Sequence, residues 1–170
     1  GVKNEDARDL ARKAKLTASS TAAGDEFGRE QVRKIEGHEL AMPRAVMFPR
    51  GLTERLETVS VWLESERKEP VELTLHVREA DEAADFSAAA DLAVAKATVP
   101  PGKESAVEFA VNCRLKKPFV WVWLPKTAGV AWSLSERAPL GSCRAYGGGD
   151  ARSWRVAKGQ SHAFYTRPPL

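Results

Sequence analysis

From residue 45 onward the chain alternates apolar and polar residues in short runs bounded by turn residues, which is the period of β-strands. In Leu56 to Ser65, Val59, Val61 and Leu63 share one face, while Ser60, Trp62 and Glu64 share the other. The polar turn Arg67 to Pro70 separates this run from Val71 to Glu79. There Val71, Leu73, Leu75 and Val77 alternate with Glu72, Thr74, His76 and Arg78. Two such runs joined by a short turn predict an antiparallel hairpin. A strand ending at Val99 and closed by Pro100-Pro101-Gly102 precedes Ala106 to Leu115, which puts Val107, Phe109, Val111 and Cys113 on one face. Phe119 to Leu124 is apolar on both faces and is expected at the centre of a sheet, covered on both sides. Further strands are predicted at Val130 to Ser135, Ser142 to Tyr146 and Ser161 to Thr166. Ala80 to Ala95 is rich in alanine, with capacity for a short helical turn, and reads as a long connection.

Strands at this density, with loops of unequal length and no alternation of strand and helix, predict an all-β antiparallel sandwich. The 170 residues suit one domain with its own core. The segment Leu10 to Ser20, LARKAKLTASS, is similar to the opening strand of discoidin-like and galactose-binding-like β-sandwich modules. The order of strands and turns from Val71 through Leu124 also follows the layout of such jelly rolls. The resemblance implies a galactose-binding-domain-like jelly roll that binds sugars or surfaces and performs no chemistry. It also implies an appendage of a larger protein, such as a secreted hydrolase or a flavin-dependent oxidoreductase. The whole chain is then expected to be a single sandwich with an arm of about 1–11, excised from a longer polypeptide. Where discoidin-like modules continue with an Asp-Gly turn and a tryptophan, this chain has Ile35-Glu36-Gly37 and then Arg44. That departure moves the expected ligand site away from the loop after the first strand.

Charge adds a polarity to this picture. The net charge of +3 is too small to imply nucleic acid. Residues 56–112 carry twelve acids against five bases, whereas residues 137–170 carry six bases against Asp150 alone. No run approaches the roughly 18 apolar residues of a membrane-spanning helix, no signal peptide is visible, and membrane insertion is not expected. Cys113 and Cys143 admit two readings, one disulfide in an exported protein or two buried thiols. The module reading places the protein in a secreted or periplasmic setting.

The supply of catalytic groups is thin. His38, His76 and His162 are far apart, and none has a partner at metal-ligand spacing; His76, on the polar face of its strand, reads as a solvated surface residue. There is no nucleophile elbow and no phosphate-binding glycine loop; Gly147-Gly148-Gly149-Asp150 reads as a flexible turn. Glu79, Asp81, Glu82, Asp85 and Asp91 could hold a structural calcium but lack the spacing of a dedicated loop, and no other cofactor is expected. No enzymatic activity is therefore expected. Five tryptophans remain, and an indole face stacks well on the apolar face of a sugar ring. Trp121, Trp123 and Trp132 lie in apolar strand patterns and are expected in the core. Trp154 lies in a basic, glycine-rich connection, close in sequence to Arg144, Tyr146, Arg152 and Arg155. Arginine beside aromatics suits an acidic or sulfated glycan, because the guanidinium fork pairs with carboxylate or sulfate oxygens. The expected ligand residues are Trp154, Tyr146, Arg144 and Arg152, with Trp62 as a further aromatic surface. The expected function is a non-catalytic carbohydrate-binding module beside a parent catalytic domain. The alternative is a structural sandwich whose surface packs against that parent.

Overall fold

A computed structural model describes residues 37–148 and 153–169. Among them the chain forms strands only, with no α-helix. In chain order these are β1 (Gly37–Leu40), β2 (Arg44–Pro49), β3 (Arg55–Ser65), β4 (Val71–Ala80), β5 (Ala93–Val99), β6 (Gly102–Arg114), β7 (Phe119–Leu124), β8 (Thr127–Ser133), β9 (Cys143–Gly148), β10 (Ser153–Lys158) and β11 (Phe164–Arg167). They make two antiparallel sheets. One has the order β10-β9-β2-β7-β4-β5. In the other, β3 carries β6 along one edge and β11 and β8 in succession along the opposite edge, with β1 outside β8. The predicted strand parity holds through the core. Val59, Val61 and Leu63 of β3 face Leu73, Leu75 and Val77 of β4 and Val120, Val122 and Leu124 of β7 across one buried cluster. The architecture is an all-β sandwich.

The expected hairpin between Leu56 to Ser65 and Val71 to Glu79 does not form. β3 belongs to one sheet and β4 to the other, and the turn between them carries the chain across the sandwich. Alternation fixes which side chains are buried but not which strand lies alongside, and both arrangements bury the same residues. β3 instead sets Val59 opposite Phe109 of β6 and Val61 opposite both Val107 and Phe164. Another crossing, from β5 to β6, runs through Pro100-Pro101-Gly102, where Gly102 has φ of +111°, a value that disfavours a side chain. β6 carries one extra residue against Leu56–Thr58, and Asn112 takes φ of +38° there, so Val111 and Cys113 both stay buried.

Two strands depart from expectation. β2 (RAVMFP) is buried on both faces and β10 has no fully buried position on either, so neither shows the alternation that marks a half-buried strand. Residues 149–152, like the resembling segment Leu10 to Ser20 and the arm, lie outside the described residues. The stretch from 81 to 92 is a connection without helix, and β5 begins within the alanine-rich run at Ala93.

The two cysteines are free and buried, and they belong to different layers. Cys113 joins the core between the sheets, whereas Cys143 packs in a second cluster on the far side of the six-stranded sheet. Burial raises the Cys113 thiol to about 11, with the Glu79 carboxylate adding to the effect. The protein is therefore expected to have the same mass with and without reductant. Both thiols should resist a thiol reagent at pH 8 until the chain is unfolded, and a mass loss of two hydrogens on oxidation of the folded protein would refute this placement.

Candidate functional site

The tryptophans gather on the outer face of the six-stranded sheet. β7 alternates, so Val120, Val122 and Leu124 enter the core and Trp121 and Trp123 point away from it, toward Met47 and Ala45 on β2. Trp154 stands on β10, three strands from β7 and on the order of 14 Å away at the backbone. Its indole spans that gap because the intervening positions, Gly147, Ala145 and Ala45, are small. It meets Trp121 at 5.6 Å and Trp123 at 6.0 Å, in edge-to-face geometry. The connection from β4 to β5 then closes the face, placing buried Phe86 5.0 Å from Trp121 and Ala84 N–H 3.2 Å from Met47 Sδ. Arg78 lies 5.4 Å from the Trp121 ring and 5.3 Å from the Trp123 ring. His76 stacks on Trp123 at 4.0 Å, with an 11° interplanar angle. Asp91 fixes both side chains, accepting from Arg78 Nε at 2.7 Å and pairing with His76 Nδ1 at 2.8 Å. His76 is thus not a solvated surface residue but part of a clamp on the closing loop.

Asp91 is taken by His76 and Arg78, Asp85 by the Ser87 N–H, and Glu79 by the N–H groups of Lys116 and Lys117. Among the described residues no three metal-ligating side chains come together.

The second feature is an open cleft at one end of the space between the sheets. Inward positions are apolar over most of the sandwich, but toward the β1 and β10 edges they become polar. Sheet register lines up Arg44 of β2, Tyr146 of β9 and Arg155 of β10 in one row on the inner face, with Arg144 one row further along β9. From the opposite sheet come His38 of β1, opposite Trp132 of β8, and His162, just before β11 and bridged to Leu134. One part of the cleft, about 260 Å³, is lined by His38, Met42, Arg44, Arg144 and Tyr146. An adjoining part, about 360 Å³, shares Met42 and Tyr146 and extends to Ser153 and Arg155.

The electrostatics of this cleft are unusual. Arg144 is only 8 % exposed, and its Nε and Nη2 donate to one oxygen, Gln160 Oε1, at 3.0 and 2.7 Å. Arg44 Nε donates to the Glu39 carbonyl at 2.9 Å. Among the described residues both guanidiniums are therefore held by neutral acceptors, and no Asp or Glu lines the cleft. Burial pulls the Arg44 pKa down, and the charge of Arg144 pulls it further. The Arg144 guanidinium carbon sits 5.9 Å from the Tyr146 ring centre. Beneath them His162 is fully buried, stacked on Trp132 at 4.4 Å and edge-on to His38 at 5.9 Å, with neither ring nitrogen hydrogen-bonded.

The expected ligand residues are thus divided. Tyr146 and Arg144 come together in the cleft. Trp154, adjacent to Arg155 in sequence, points through the opposite face into the tryptophan cluster and is half-buried there. Trp62 is half-buried on the outer face of the other sheet, away from both. Arg152 lies outside the described residues. Arg44 and His162 were missed by sequence reasoning, although parity offers a signal for each. Arg44 shares its strand face with Val46 and Phe48, and His162 shares its face with Phe164; a polar group on a core-facing position marks where a core opens. Compared with known proteins, the chain matches no family model, no curated protein and no solved structure.

Proposed function

We propose that the chain is a non-catalytic glycan-binding module, of galactose-binding-like jelly-roll type, that attaches a larger extracytoplasmic enzyme to an acidic carbohydrate. The observation that carries this reading is the cleft in which Arg44, Arg144 and Tyr146 meet with no carboxylate among the described lining residues. A largely buried guanidinium without a counter-ion is costly, and an incoming anion offsets that cost. The Tyr146 ring supplies an apolar face for a sugar beside the charged groups. The expected result is retention of the protein on an acidic polysaccharide in affinity electrophoresis. Arg144→Met should lose that retention while keeping the wild-type circular dichroism. Absence of retention on every acidic and neutral polysaccharide tried would overturn the reading.

The alternative, a structural sandwich packing against its parent, draws on one specific observation. Leu52 and Leu140 are 98 % and 93 % exposed on two turns that approach each other, since the Gly141 position lies against the Pro49 ring. Apolar tips of this kind suit a protein contact. Retained glycan binding in a Leu52→Ser, Leu140→Ser double variant separates the two readings.

A further inference from the structure

We propose that the anion recognised by the inter-sheet cleft is a tetrahedral, three-oxygen ester group, the –OSO3 of a sulfated sugar, in preference to a sugar carboxylate. This rests on the glycan-binding reading and narrows it. The free donors favour this geometry. Among the described residues Arg44 uses only Nε, on a backbone carbonyl, so both of its terminal nitrogens remain available. Arg144 spends Nε and Nη2 on a single amide oxygen, which fixes the plane of the fork and leaves Nη1 for a ligand. Arg155 and the Tyr146 hydroxyl make no hydrogen bond within the described residues and line the adjoining part of the cleft.

These groups come from three neighbouring strands, β2, β9 and β10, and from two rows. A carboxylate has two oxygens in one plane and is satisfied by a single fork. Its pairing with one arginine would leave the other largely buried cation unmatched. Three terminal oxygens radiating from one centre can accept from Arg44 on β2 and from Arg144 and Tyr146, two residues apart on β9, together. The built character of the site supports this choice. Arg144 is more than nine-tenths buried, oriented by Gln160 and not neutralised by it, which is an arrangement for holding charge ready rather than for cancelling it. His162, fully buried with both ring nitrogens unpartnered, adds a further unsatisfied polar group below Arg144.

A phosphate monoester offers the same three oxygens, so the test includes both sources. Titration calorimetry on the full chain would use glucose 6-sulfate, glucose 6-phosphate, glucuronate, glucose and inorganic sulfate. The expected result is binding of the two esters at least about ten-fold tighter than glucuronate, with both weakened about ten-fold or more in Arg144→Lys and in Arg44→Gln. Arg144→Lys keeps the charge and removes the fork, so its loss reads geometry; Arg44→Gln, a less buried position, serves if the first variant does not fold. Equal or tighter binding of glucuronate overturns the inference and leaves glycan binding intact. Inorganic sulfate binding as tightly as both esters retains the tetrahedral anion and overturns the glycan reading. A phosphate ester preferred over the sulfate ester by ten-fold assigns the site to phosphorylated ligands and overturns the sulfate assignment. Ester binding unchanged in both arginine variants overturns the site itself.

Discussion

Replacement of Trp121 by alanine is expected to lower the unfolding free energy by about 3–5 kcal/mol, the largest single-residue loss foreseen for this chain. Trp121 is fully buried although it points away from the core between the sheets. β7 is interior in its sheet, with Met47 of β2 on one side of Trp121 and Arg78 of β4 on the other. The indole supports everything that covers this face: Phe86 from the closing loop, Trp154 from β10 and the Arg78 guanidinium. Its removal leaves a cavity that three strand backbones cannot collapse to fill, so both the transfer and the cavity costs apply. The loop from 81 to 92 should become a site of proteolysis as well, because Phe86 and the Ala84 contact to Met47 lose their floor. Trp154→Ala, at the half-buried rim, should cost markedly less. Urea unfolding followed at constant m-value reads both variants. A loss under about 1.5 kcal/mol for Trp121→Ala would mean that the outer face is not packed as described.

That outer cluster shows how far the sequence could be read. Alternation located the buried faces of β3, β4 and β6 residue by residue, because one-sided burial writes a period of two into a strand. The two-sided run Phe119 to Leu124 was equally legible as a central strand, and its neighbours β2 and β4 are where such a strand needs them. Pairing was not legible. β3 and β4 look like a hairpin because their turn is short, yet each finds its partners in a different sheet, through contacts such as Val59 with Phe109 that are distant in sequence. The surroundings of Trp154 were hidden for a related reason. An edge strand carries no alternation, so β10 reads equally as strand or loop, and nothing in the sequence points its tryptophan at Trp121 and Trp123. The cleft was half legible. Arg144 and Tyr146 were singled out by the basic, aromatic composition of their stretch. Arg44 and His162 belong to the same site only through strand register and sheet packing, which bring residues about a hundred positions apart to one place.

His162 also makes the stability of the fold depend on pH, and the sign follows from its surroundings. Burial first, then the positive charges of Arg144, His38 and Arg44, hold its pKa well below the usual histidine value. In the unfolded chain the imidazole takes up a proton near pH 6.5, while in the folded protein it stays neutral there. Below that pH the unfolded state binds more protons, so stability falls as pH falls, with a slope approaching about 1.4 kcal/mol per pH unit. The stability is complete above the unfolded value and declines through the window from about pH 6.5 down to the folded value. Asp91 acts lower in the scale. Burial pushes its carboxyl up, but hydrogen bonds from His76 and Arg78 outweigh this and leave it lowered, so its contribution is lost only below the usual carboxylate range. His162→Phe keeps a flat ring against Trp132 and removes both the titration and two unpartnered nitrogens. Its urea-derived stability should therefore match or exceed the wild type at pH 8 and stay flatter between pH 7 and pH 5. A wild-type profile that is level across that interval, or a variant that keeps the wild-type slope, would remove the buried neutral histidine from the account. A sulfate ester in the cleft should not abolish the slope unless it reaches His162 itself, so repeating the series with ligand present reports how deeply the anion descends between the sheets.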